Sequence, residues 1–435
     1  MLETELTITA DCGQFKSAFG LAARRGESRE TSLIARLARA KYDADMDPGK
    51  GPFSLYIHIP YCAAKCPYCD FNVRVARVIP EADYTAALLG ELNCYARSDA
   101  WRARGLRTVF FGGGTPSTFP SRSIGSILDK AASLFSCARD IEISLEANPD
   151  SADQKHFSAY RSRGVNRLSL GAQSFQPRLL KFLGRLHSAD DTRQALRTAR
   201  EAGFENFSLD LIYGIPGQSL ADLDADLSEA LSFQPPHLSA YNLTIEEKTA
   251  FHYQLRTGKI SPLAEEDEIA MAELIEETLS RAGLERYEIS NYAKAGFPSR
   301  HNMNYWEGGD YLGIGAGSHS HLRGDGADGV FGQRWHNEKN PIRYMEAVRR
   351  EGAAVAEREN LDLKKAAAEC LFMGLRMTKG ISVDDFARRF GKDPAEFYPQ
   401  IGEWLEDGLM ERQNGRLRLT RRGLMISNSI FVNFV

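Results

Sequence analysis

Six short apolar, β-branched runs alternate with helix-length amphipathic stretches between Ser54 and Leu243, and this alternation constrains the fold more than any other feature. The runs are Ser54–Ile59, Thr108–Phe111, Ile141–Leu145, Arg167–Leu170, Phe207–Ile212 and Leu238–Leu243. Among the intervening helices are Asp83–Arg97 and Ala189–Ala202, the second opened by Ser188 as an N-cap and closed by Gly203 as a C-cap. Strands alternating with helices build a parallel sheet through right-handed crossovers. Six such units predict an α/β fold, a partial (β/α)6 barrel, with an extra helix over Glu266–Ala282 and a strand over Tyr287–Tyr292.

Polar and glycine residues fall just after the strands: a cysteine cluster, Gly112–Thr115, Glu146, Gln173, Asp210 and Asn242. Barrels of this kind build their reactive site from loops at the C-terminal strand ends, so six polar ends predict one large site. A doubly wound open sheet would instead concentrate such residues at one switch point.

Four segments are expected. Residues 1–50 form an N-terminal extension with a short amphipathic helix at Thr31–Tyr42; a Pro/Gly break over Asp47–Pro52 and the preceding Met46 suggest that the true start lies there and the extension is dispensable. Residues 51–295 form the barrel, and residues 296–360 an irregular, glycine-rich connection. Residues 361–435 form a small, mainly helical, winged-helix-like domain, with helices at Ile381–Phe390 and Asp393–Asp407 and a hairpin pairing Leu409–Glu411 with Leu417–Leu419. That last arrangement is read as a lid on the barrel rather than a DNA reader, because 54 Lys+Arg against 58 Asp+Glu leave no basic excess for phosphate binding. No apolar run is long enough to span a bilayer. The first fifty residues lack a secretory apolar core and carry too many acids for a transit peptide, which predicts a cytoplasmic protein, peripheral to a membrane at most.

Three of the seven cysteines, Cys62, Cys66 and Cys69, are packed as C-x3-C-x2-C in Ile59-Pro-Tyr-Cys-Ala-Ala-Lys-Cys-Pro-Tyr-Cys-Asp-Phe71. In a reducing compartment such clustering points to metal or redox chemistry. Three thiolates can hold three irons of a cubane, and no nearby His or Cys supplies a fourth ligand. A zinc site completed by a distant ligand is the competing reading.

This segment resembles the radical S-adenosylmethionine (SAM) superfamily, in which the fourth iron of a [4Fe-4S] cluster chelates SAM. The resemblance implies that an electron from the cluster cleaves a carbon–sulfur bond and releases a 5′-deoxyadenosyl radical. It also assigns the strand-end residues. Gly112-Gly113-Gly114-Thr115-Pro116 is similar to the superfamily's SAM amino-group site. Glu146, Gln173, Arg185 and Asp210 stand where SAM contacts lie in oxygen-independent coproporphyrinogen oxidases. Arg185 is expected to pair with the methionine carboxylate. Tyr56 and Tyr68 flank the cluster and are read either as cofactor contacts or as packing.

From Pro52 onward the chain resembles the group that joins coproporphyrinogen oxidases to the HemW heme chaperones. The oxidases read C-x3-C-x2-C-x-C, whereas the last position here is Phe71, as in the chaperones. His301-Asn302-Met303-Asn304-Tyr305-Trp306 is similar to their H-N-x-x-Y-W heme motif. Imidazole can ligate heme iron and aromatic rings offer flat faces to a macrocycle, so His301, Asn302, Tyr305 and Trp306 are the heme candidates, with His319 and His321 as alternative ligands. The family implies a heme carrier with acceptor proteins such as respiratory enzymes, an electron donor and no nucleic acid. Oxidative decarboxylation of coproporphyrinogen III is the second reading, and SAM-dependent alkylation of the heme ring a third.

Overall fold

The computed structural model describes residues 51–151 and 153–434, so the expected helix Thr31–Tyr42 and the start at Met46 lie outside the described residues. Twelve strands among these residues form one sheet. They are β1 (Phe53–Ile59), β2 (Gly105–Gly113), β3 (Ser136–Ala147), β4 (Arg167–Gln173), β5 (Phe207–Tyr213), β6 (His237–Asn242), β7 (Glu285–Arg286), β8 (Asn291–Ala293), β9 (Tyr311–Ile314), β10 (His319–Arg323), β11 (Gly332–Asn337) and β12 (Val355–Leu361). Their order is β12-β11-β10-β9-β1-β2-β3-β4-β5-β6-β8-β7. The six expected strands are present and parallel.

The period-2 geometry of these strands explains why the inside of the sheet is a site and not a core. Leu55, Ile57, Val109, Phe111, Ile143, Leu145, Leu168, Leu170, Leu209 and Leu211 face the helices and are buried in one apolar cluster. Their neighbours Tyr56, His58, Phe110, Gly112, Ser144, Glu146, Ser169, Ser208, Asp210 and Ser239 occupy the alternate, concave face. The helix Ala189–Glu201 begins at Ser188 in a capping box with Asp191, and Gly203 follows it at φ +82°.

Residues 296–360 are not an irregular connection. They supply β9, a seventh parallel strand on β1, followed by three antiparallel strands that extend the sheet. β9 was hidden because it has only four residues and contains Gly313, where a Cβ would collide with the carbonyl oxygen of His319. The strand expected over Tyr287–Tyr292 is a hairpin, β7 and β8, turned at Glu288, whose Oε1 accepts from Ser290 N (2.8 Å) and Asn291 Nδ2 (2.6 Å). The helix expected over Asp393–Asp407 is two, Pro394–Phe397 and Gln400–Glu406, separated at Pro399.

The C-terminal residues have their own apolar cluster and a three-stranded sheet of Ile381–Ser382, Arg416–Leu419 and Met410–Gln413. They lean on the barrel through an isolated bridge between Met377 and Glu288 and a bond from Thr378 N to Tyr287 O (3.1 Å). No helix among the described residues is long and apolar enough to cross a membrane.

Glu91 ties the β9–β10 turn to the helix Glu81–Tyr95. Fully buried, it accepts from Tyr344 OH (2.6 Å), Asn337 Nδ2 (2.7 Å) and Gly315 N (3.0 Å). Burial pushes its pKa up to about 7, against the pull of these donors. Because that lies above the unfolded value, Glu91's contribution is complete below the unfolded pKa and is lost as pH rises through 7. Glu91→Ala should therefore lower stability by about 3 kcal/mol at pH 5 and by less at pH 8, read from thermal melts of the apoprotein. An equal loss at both pH values would overturn this account.

Candidate functional site

The loop after β1 carries Cys62, Cys66 and Cys69, all half-buried, at the rim of a cavity of about 690 Å³. Gly113, Gly114, Thr115, Glu146, Gln173, Arg185, Asp210 and Tyr68 line the same cavity, so residues spread over 150 positions of sequence meet at the C-terminal ends of the strands. Among the described residues, no three His, Cys, Asp or Glu side chains are gathered to hold a single metal ion. In a cubane each thiolate takes its own iron. Thr115 Oγ1 lies 3.6 Å from Cys62 Sγ and Arg185 Nη1 lies 3.6 Å from Cys66 Sγ, so two of the sulfurs already have a donor beside them. Burial raises the Cys62 and Cys69 thiols above their usual pKa, and loading iron would release those protons. These features fit an iron–sulfur cluster. Phe71, where the oxidase pattern has its fourth cysteine, stands 63% exposed at the cavity mouth.

The glycine run that ends β2 owes its composition to the protein's own packing. Gly113 has φ +113°, and a Cβ there would strike the His58 ring; one on Gly114 would strike the Tyr61 carbonyl oxygen. Its N–H groups are also spent internally. Gly113 N donates to Glu146 Oε2 (3.1 Å), Gly114 N to Ile59 O (2.8 Å) and Thr115 N to Tyr61 O (2.8 Å). The Thr115 carbonyl oxygen is taken as well, by Thr118 N (3.0 Å) and Thr118 Oγ1 (2.7 Å), so what this turn offers a ligand is glycine carbonyl oxygen, which suits an amine donor.

Two carboxyl groups face the cavity from β3 and β5. Glu146 is pushed up to about 7 by burial, with Asp210 adding to the shift. Burial also raises Asp210, although Ser169 Oγ (2.6 Å) and Ser208 Oγ (3.0 Å) donate to it. Arg185 Nη2 donates to Asn148 Oδ1 (2.6 Å), while its Nε is buried without a partner. Asn148, which also donates to Thr115 Oγ1 (3.1 Å), was missed in the sequence. Its position two residues beyond Glu146 in Leu-Glu-Ala-Asn-Pro was the available signal.

Tyr56 is absent from this cavity. It lies three residues before the end of β1, about 10 Å below the rim, and its hydroxyl meets His58 Nδ1 at 3.0 Å. It faces an inner cavity of about 220 Å³ that shares Glu146, Ser169, Asp210 and Tyr241 with the outer one.

The floor of that inner cavity is the helix Arg300–Trp306, which contributes His301, Asn302 and Tyr305. His301 is fully buried, with Nδ1 2.7 Å from Thr108 Oγ1 and Nε2 2.8 Å from Tyr305 OH. Burial lowers its pKa to about 3. Both ring nitrogens are committed, so His301 offers no lone pair to iron in this arrangement. The inner cavity is also below the roughly 300–1,000 Å³ of small-molecule pockets, too small for a macrocycle. Trp306 points away from it and lies under the guanidinium of Arg376. Of the alternative ligands, His321 is half-buried, 3.3 Å from Gly309 O through Nδ1 and stacked on Tyr311, whereas His319 is exposed beside His336.

A parallel half-barrel with three thiols on its first loop is the architecture of a radical SAM protein, and the radical SAM superfamily model matches residues 56–230. The HemN C-terminal domain model matches residues 361–426. In fold the chain matches the coproporphyrinogen III oxidase HemN from Escherichia coli, a radical SAM enzyme, with a TM-score of 0.75, 23% identity and coverage of 92% of this chain and 93% of that one. It is 34% identical over 386 residues to the heme chaperone HemW of Bacillus subtilis, covering 88% of this chain and 99% of the relative. Identity to the heme chaperone HemW of Escherichia coli is 35% over 390 residues, 88% of this chain and 98% of the relative. The radical SAM domain-containing protein 1 of Bos taurus mitochondria is 32% identical over 437 residues, 95% of this chain and 96% of that protein. The chain belongs to the HemW family.

Proposed function

We propose that the protein is a heme chaperone that holds a [4Fe-4S] cluster on Cys62, Cys66 and Cys69, binds SAM beside it, and carries heme to acceptor proteins. The observation that carries this reading is the identity of about one third with heme chaperones along nearly their whole length, against 23% with the oxidase whose fold the chain shares. Phe71 at the position of the oxidase's fourth cysteine supports it.

When bound, the cluster and SAM supply one-electron chemistry. The chain's own residues position and protect them. Glycine carbonyl oxygens of the Gly112–Thr115 turn and the Glu146 carboxyl would accept from the SAM amine, Arg185 would pair with its carboxylate, and Gln173 and Asp210 would receive the ribose. Tyr68, beside Cys66 and Arg185, shields the site from water.

The test is anaerobic incubation of the reconstituted protein with heme and, separately, with coproporphyrinogen III, SAM and reductant. Stable heme binding without protoporphyrinogen is the expected result. Turnover to protoporphyrinogen would establish the oxidase instead.

A further inference from the structure

We propose that Arg376, contributed by the C-terminal domain, is the binding group for a carboxylate of the carried macrocycle, a heme propionate, and that Trp306 is its positioning residue. The inference rests on the heme-carrier reading and assigns a role to the last residue of the H-N-x-x-Y-W segment.

Arg376 reaches the outer cavity from outside the barrel. Its Nε is buried and has no hydrogen-bond partner among the described residues. The guanidinium sits 4.6 Å from the centroid of Trp306, whose own Nε1 is buried without a partner. Two adjacent donors therefore lack an acceptor, and the first of them, Arg376, borders the large outer cavity. Leaving such groups unpaired is costly, and a planar guanidinium is matched best by a carboxylate. The neighbouring carboxylate Glu288 does not fill that role. Its Oε1 is taken by Ser290 N and Asn291 Nδ2, and its Oε2 has no hydrogen-bond partner among the described residues. Burial correspondingly lowers the Arg376 pKa, with Glu288 and Tyr241 only partly opposing it.

Position separates this cation from the one assigned to SAM. Arg185 is anchored on Asn148 at the end of β3, whereas Arg376 stands by Tyr241 of β6. The strands beside which the two cations stand, β3 and β6, lie three places apart in the sheet, so each cation serves a different side of the cavity. The side chain is aimed by the Met377–Glu288 bridge and the Thr378–Tyr287 bond, which fix the segment against β7 and β8, and by the indole beneath it.

The experiment uses the full chain after anaerobic reconstitution. Hemin and hemin dimethyl ester, which lacks the propionate charges, are titrated by Soret absorbance, and SAM by calorimetry. Arg376→Gln should weaken hemin roughly tenfold or more while leaving the ester and SAM unchanged, so the preference for free propionates collapses. Trp306→Phe should preserve the preference and Trp306→Ala should erode it. Arg376→Lys, which keeps the charge and loses the fork, should fall between, and it carries the test if the glutamine variant lacks the cluster absorbance of a folded protein. An unchanged hemin-to-ester ratio in Arg376→Gln would overturn the assignment. Weakened SAM binding in its place would give the carboxylate to SAM and also overturn it. A wild-type protein that binds no hemin would instead bring down the heme-carrier reading itself.

Discussion

Alanine at any one of Cys62, Cys66 or Cys69 should abolish the broad visible absorbance that appears after anaerobic reconstitution. Each thiolate is assigned its own iron, and no other Cys or His shares the loop between β1 and Val73 to replace a lost ligand. The thiols are half-buried on a loop and outside the apolar core, so the loss should occur in a protein that remains folded by circular dichroism. Cys370→Ala, on a half-buried cysteine of the C-terminal domain, is the matched control and should reconstitute normally. A normal four-iron spectrum in the triple variant would remove the basis for the whole site.

His301→Ala should cost about 3 kcal/mol or more of stability and leave the ligand field of bound heme iron unchanged. Deleting the ring opens a cavity among Tyr56, Phe110 and Tyr305, and it strands the fully buried Thr108 hydroxyl and the half-buried Tyr305 hydroxyl. Thr108 keeps one bond, to Ser54 Oγ at 2.8 Å, which limits the damage on that side. The readouts are the apparent melting temperature of the apoprotein, expected to fall by several degrees, and the visible spectrum of the heme-loaded protein. A variant with unchanged melting that loses the axial-ligand signature would restore His301 as an iron ligand and overturn its role as a structural hub.

The two assignments differ in how far sequence alone could carry them. Three ligands within eight residues are a local pattern, and a local pattern survives whatever the chain does elsewhere. The role of His301 was left open in the sequence because its partners are 193 residues away at Thr108 and four residues away at Tyr305, and burial is decided by where the helix Arg300–Trp306 is placed. A histidine in an aromatic segment looks the same in sequence whether it plugs a barrel or faces a ligand. The same limit hid β9, a strand of four residues whose partners among the described residues are β1, more than 250 residues earlier, and β10.

The sequence by itself determined the six parallel strands, the helices between them, the cap at Ser188, the cluster loop and the placing of polar residues after strands, since each depends on near-neighbour periodicity or spacing. Only the tertiary structure decided that the polar faces of those strands share one interior. It also decided that Tyr56 belongs to the inner cavity, that Gly113 and Gly114 yield to His58 and Tyr61, and that Arg376 enters the barrel mouth over Trp306. Those outcomes rest on contacts between residues tens to hundreds of positions apart, which packing and closure select and no local pattern encodes.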